Sequence, residues 1–243
     1  MWLWALPVCM AVIGASGFWT VFGMSVTNGS ANLTKSFPMI SLCANFNPQS
    51  CLFAQICNIC SGLGLWIMLI RFQQIIDYGD HGKENTASVV CGVMSALGIS
   101  VTGNFQSVHF QKLHFLGACS AFFFGLIYFW IQLYLTYRAQ PSQDRYWVGP
   151  VRGICCTLST LFFIAMSIFV FITYHYEAAV CEWALTMLFF VLFGLFAAEF
   201  RHIDCYRFTV QKQALKKVSS PLPQHSLQKQ EKAFKLDVYA LDA

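Results

Sequence analysis

Six stretches of this sequence are predominantly apolar and separated by short polar breaks: Trp2–Val26, Cys51–Ile70, Ala87–Gly103, Leu113–Tyr137, Val151–Tyr174 and Val180–Phe200. A hydrocarbon core about 30 Å thick is crossed by about 20 helical residues, within a range of roughly 17–25. All six runs qualify, the third being the shortest. Backbone N–H and C=O groups cannot stay unpaired in lipid, so each run is predicted to be helical. The expected fold class is all-α: a polytopic membrane protein with a six-transmembrane-helix bundle over residues 1–200 and a polar segment over 201–243. In the third run Gly92 and Ala96, four apart, permit close helix contact.

The polar breaks give an orientation. With the N-terminus in the cytosol, every Lys and Arg except Lys35 and Lys112 falls on the cytosolic side, as the positive-inside rule requires. Arg71, Lys83, Arg138, Arg145 and Arg152 are the topogenic residues ahead of the tail. Both termini are therefore expected in the cytosol. Ala15-Ser16-Gly17 could mimic a signal-peptide cleavage site, but no basic residue precedes the first run and its apolar character continues. It is read as a retained helix.

The exterior loop, residues 27–50, then carries two acceptor sequons, Asn28-Gly29-Ser30 and Asn32-Leu33-Thr34. Asn32 stands farther from the membrane and is the better candidate. Cys43 and Cys51 are a candidate disulfide in that oxidising compartment, with two free thiols as the open alternative.

Composition agrees with a bilayer and argues against a soluble enzyme. Hydrophobic residues make up 57% of the chain and charged residues 11%, where soluble domains carry about 25% charge. Most of the 11 Cys lie in apolar runs, where Cys acts as a small hydrophobe. Cys57-Asn58-Ile59-Cys60 falls inside the second run, so its CxxC spacing is read as packing. His109 and His114 lack companion ligands, and no phosphate loop, HExxH pair or serine elbow occurs. The protein is expected to have no enzymatic activity, no cofactor, no metal and no nucleic-acid partner. Asp77, Asp80, Glu84 and Asp144 are placed in cytosolic loops, and Glu199 and Asp204 at the cytosolic end of the last helix. Glu182 is left between an interfacial and a buried, hydrogen-bonded role. The tail, 201–243, is basic and expected to be largely disordered. It could attract anionic lipids, at about 1 kcal/mol per charge near the surface.

Pro38-Met39-Ile40-Ser41, Pro48-Gln49-Ser50-Cys51-Leu52-Phe53, Gly103-Asn104-Phe105-Gln106, His114-Phe115-Leu116-Gly117-Ala118 and Cys181-Glu182-Trp183 occur in that order. In order and spacing they resemble the damage-regulated autophagy modulator family, within its transmembrane protein 150 branch. Met39 stands where that family usually has Tyr. The resemblance implies a modulator of macroautophagy and of cell survival under nutrient stress. It also implies residence in plasma, endosomal, lysosomal or autophagosomal membranes. The same branch leaves two alternatives: a plasma-membrane scaffold for a phosphoinositide kinase complex, and a mechanosensitive channel or channel-modulating subunit. On this map Asn104, Phe105, Gln106 and His114 lie at the same membrane face as Cys181, Glu182 and Trp183. They are expected to form a polar cap closing the bundle, with Trp183 as an interfacial anchor.

Overall fold

The computed structural model describes residues 2–34, 36–139, 144–201 and 203. The basic tail expected over 201–243 lies outside them except for Arg201 and Ile203. Among the described residues the regular structure is helical: α1 (Ala5–Thr27), a short α2 (Ile40–Cys43), α3 (Gln49–Asp77), α4 (Lys83–Asn104), α5 (Gln111–Arg138), α6 (Arg145–Phe171), α7 (His175–Gly194) and α8 (Phe196–Phe200). α7 and α8 together make one span, so six spans result, each long and apolar enough to cross a bilayer. Successive spans alternate in direction. The bundle therefore has a sequon end, carrying Asn28 and Asn32, and a tail end, carrying Asp77, Arg138 and Arg201.

The helices outrun the apolar stretches that announced them. α3 continues past Ile70 to Asp77, and α4 starts at Lys83 rather than Ala87. Polar turns beyond the hydrocarbon have no hydropathy signal, yet they extend a helix freely. Glu84 in the first turn of α4 also favours the helix dipole. Asn85 ties that turn to α3, its amide donating to the Phe72 carbonyl at 3.0 Å. The last span is interrupted at Leu195, and the α8 turn that follows sets Glu199 inward.

Large apolar side chains face outward on every side, among them Trp66, Leu97, Leu116, Ile154, Leu161 and Ile168. In water such a surface would aggregate; in lipid it costs nothing. With lipid as apolar as the core, association rests on close packing. A Cβ added at Gly98 of α4 would stand 2.5 Å from the Ala121 nitrogen and 2.7 Å from the Gly117 oxygen of α5. These two helices meet backbone to backbone. The opposite face of α4 meets α3, as Gly92 and Ala96 suggested: a Cβ at Gly92 would strike the Met68 sulfur, and Ser61 donates to the Ala96 carbonyl at 2.8 Å. α6 is the outlier, burying no side chain beyond Ser159.

Candidate functional site

Two polar regions stand out, one at each end of the bundle. At the tail end, Arg71 of α3 and Arg152 of α6 are both 0% exposed, and Glu199 of α8 is 1% exposed. Arg71 lies six residues from the end of α3 and Arg152 seven from the start of α6, about 9–10 Å inside the helix termini. Arg152 grips Glu199 with both terminal nitrogens, at 2.7 and 3.2 Å, and Arg71 reaches the same carboxylate at 2.9 Å.

Polar side chains complete the network. Arg71 donates to Gln132 at 3.1 Å and to Gln74 at 2.8 Å. Gln132 in turn donates to Ser88 at 3.1 Å, and Gln74 to the Glu199 carbonyl at 3.1 Å. Arg152 also bonds to the Thr136 hydroxyl. Both guanidiniums lie over the Phe196 ring, 5.7 and 4.8 Å from its centre. Charges this deep are tolerated only when paired and hydrogen-bonded.

This network corrects the sequence reading. Positive-inside counting makes Arg71 and Arg152 topogenic loop charges, and hydropathy makes Glu199 a marker of the helix end. All three are inside the bundle, because α8 turns Glu199 toward two helices that each carry an Arg within their tail-end turns. A signal was present: two basic residues and one acid each sit against or within an apolar run.

At the sequon end the expected cap separates into distinct contacts. Glu182 is half-buried, and its Oε2 accepts the Ile40 N–H at 2.9 Å. Trp183 is 5% exposed and donates to the Pro38 carbonyl at 3.1 Å. Its ring packs on Trp19, Phe22 and Phe37, with centroids 4.5, 5.7 and 6.2 Å away. Trp183 is thus a buried pin for the Pro38–Ser41 segment and no interfacial anchor, since three rings and a carbonyl enclose it. Asn104 faces a different neighbour: it exchanges hydrogen bonds with Asn58 at 3.0 and 3.1 Å and reaches the Ser100 carbonyl at 2.8 Å. His114 Nδ1 lies 2.7 Å from the Phe105 carbonyl, and the Gln106 carbonyl accepts the N–H groups of His109 and Phe110. Cys181 is buried. Amide and carboxylate therefore serve separate joints.

In the loop, Asn28 and Asn32 are both exposed. The Asn28 amide donates to Gln49 at 2.9 Å, while Asn32 Oδ1 accepts from the Thr34 N–H at 3.0 Å and from its hydroxyl at 2.6 Å. Cys43 and Cys51 are not bridged. Cys43 is buried, Cys51 is exposed, and both are free thiols. Burial pushes the Cys43 thiol pKa up, which lowers its readiness to form a disulfide. Cys57 and Cys60 are each 1% exposed, in line with a packing role.

Residues 2–203 match the Frag1/DRAM/Sfk1/Cwh43P N-terminal domain. The chain is 54% identical to the modulator of macroautophagy TMEM150B of Danio rerio, an alignment covering 89% of this chain and 94% of that one. It is 39% identical to the Homo sapiens protein of the same name, over 87% and 92% of the two chains. Against transmembrane protein 150A of Xenopus laevis the identity is 30%, over 89% and 91%. No solved structure matches.

Proposed function

The chain belongs to the Frag1/DRAM/Sfk1/Cwh43P family, and from that premise we propose that it is a non-enzymatic, multi-pass membrane modulator of macroautophagy. The observation that carries this reading is the 54% identity, over nearly the whole of both chains, to a protein named for that role. A supporting argument comes from the charged groups. Glu199, Arg71 and Arg152 are occupied with one another rather than aimed into an open cleft, so these three groups serve the bundle rather than acid–base chemistry.

In this reading the protein acts from plasma, endosomal, lysosomal or autophagosomal membranes, raising autophagosome number and flux and supporting survival under nutrient stress. Both termini are cytosolic, the sequon end faces the lumen or exterior, and Asn32 carries glycan. The decisive experiment is autophagic flux in depleted cells, measured with and without a lysosomal inhibitor. Flux should fall and return on re-expression; unchanged flux would sink the proposal. A tag fused after Ala243 should be unreachable from outside intact cells, and Asn32→Gln should remove a glycosidase-sensitive mass increment.

A further inference from the structure

We infer that the sequon half of the bundle holds a binding site for a single-chain membrane amphiphile. Its hydrogen-bond-donating head sits at Glu182 and Thr186, and its apolar chain runs along α7. This goes beyond the autophagy reading and does not depend on it.

A cavity of about 70 Å³ lies among α1, α3, α4, α5 and α7, several times the roughly 10–15 Å³ that one water requires. Its α7 wall runs from Glu182 to Phe193, which at 1.5 Å per residue makes it about 16 Å long. Ile40 and Ser41 of α2 close one end, and Met10 and Phe193 lie at the other. The space has a cause in the sequence. Gly98 and Gly117 draw α4 and α5 together, and α5 then lines the cavity with Ala118 and Ala121 plus the Phe122 ring.

The polar groups are confined to one end. Thr186 is 7% exposed, lines the cavity, and its hydroxyl has no hydrogen-bond partner. Buried hydroxyls are nearly always paired, and a mid-helix Thr commonly bonds the carbonyl four residues back. Glu182 lies one turn before it on the same helix face, tied at one carboxylate oxygen to the Ile40 N–H. A carboxylate and a hydroxyl at the head of an apolar slot call for a donor, either a hydroxyl or an ammonium. The carboxylate disfavours fatty acids and phosphate headgroups through like-charge repulsion. The slot's small cross-section suits one chain rather than two. Phe122 and Phe189, with ring centres 5.7 Å apart, form part of the wall.

The test uses the purified full chain in lipid nanodiscs with two photoreactive, alkyne-tagged probes. One is a sphingosine, offering an ammonium; the other is a monoacylglycerol, offering hydroxyls. Labelled peptides are mapped with and without tenfold untagged competitor. At least one probe should label α7 and α2 saturably. Ala121→Phe, which fills the slot, should reduce that labelling at least tenfold, and Thr186→Val at least threefold. Glu182→Gln, which keeps an acceptor for Ile40, should reduce the sphingosine signal tenfold while leaving the monoacylglycerol signal within threefold. Leu161→Ala on the lipid-facing side of α6 should change nothing. Each variant is read only after thermal unfolding shows it folded; Thr186→Val, being isosteric, carries the test if Ala121→Phe does not fold. Labelling that resists competitor, spreads over the lipid-facing helices, or ignores Thr186→Val overturns the inference, as does no labelling by either probe.

Discussion

Glu199 and Glu182 belong to the same final span, and their surroundings differ in kind. Glu199 has two guanidiniums on its carboxylate and Thr136 beside it, so its acceptor capacity is filled from within the protein. Glu182 is held by a single neutral partner, the Ile40 N–H, and borders a cavity. A carboxylate that is fully engaged locks helices together. One that is partly engaged, beside an unpaired hydroxyl, retains binding capacity. The tail end of the bundle is thus built as a lock, and the sequon end as a receptive site under a pinned loop.

The contrast makes graded predictions. The largest effect is expected from Glu199→Ala, which strands two buried cations and should cost about 3–5 kcal/mol, read as loss of thermal stability of the purified protein. Replacing the set together, as Arg71→Met, Arg152→Met and Glu199→Leu, should recover most of that loss. If the single change proves harmless, the network is no lock. Next comes the seam that connects the two ends. Gly98→Ala sets a Cβ against α5 backbone and should cost about 1–3 kcal/mol, whereas Gly23→Ala, with nothing within 4 Å, should be nearly silent. Trp183→Phe removes one hydrogen bond to the loop, about 1 kcal/mol. Faster protease cleavage in residues 28–39 should report it, with melting governed by the tail end little changed. The smallest effect belongs to Glu182→Gln, under about 1 kcal/mol, because the amide oxygen still accepts from Ile40. A Glu182→Gln loss as large as that of Glu199→Ala would erase the distinction between the two ends.

How far the sequence revealed this follows from what each feature depends on. The six spans were legible because lipid imposes about 20 apolar residues on each helix regardless of its neighbours. The seven-residue extension of α3 past Ile70 and the polar first turn of α4 were not, since water tolerates helix and coil alike at those positions. The sequence order of the family motifs correctly indicated the family, but it misjudged Trp183, whose burial depends on rings from α1 and the loop. The charge network was missed for a related reason. Positive-inside counting treats each Arg as facing water, and only the three-dimensional fold brings α3, α6 and α8 to one point.

The network also has a consequence for how the protein is made. Arg71 enters the membrane with the second span, Arg152 with the fifth, and their shared counter-ion arrives only in the closing turn of the sixth. Until the ribosome has delivered Glu199, the nascent chain carries two uncompensated cations on helices bound for the bilayer. A chain halted before that residue holds both cations without their counter-ion, so closure of the tail end waits on the last turn of the sixth span.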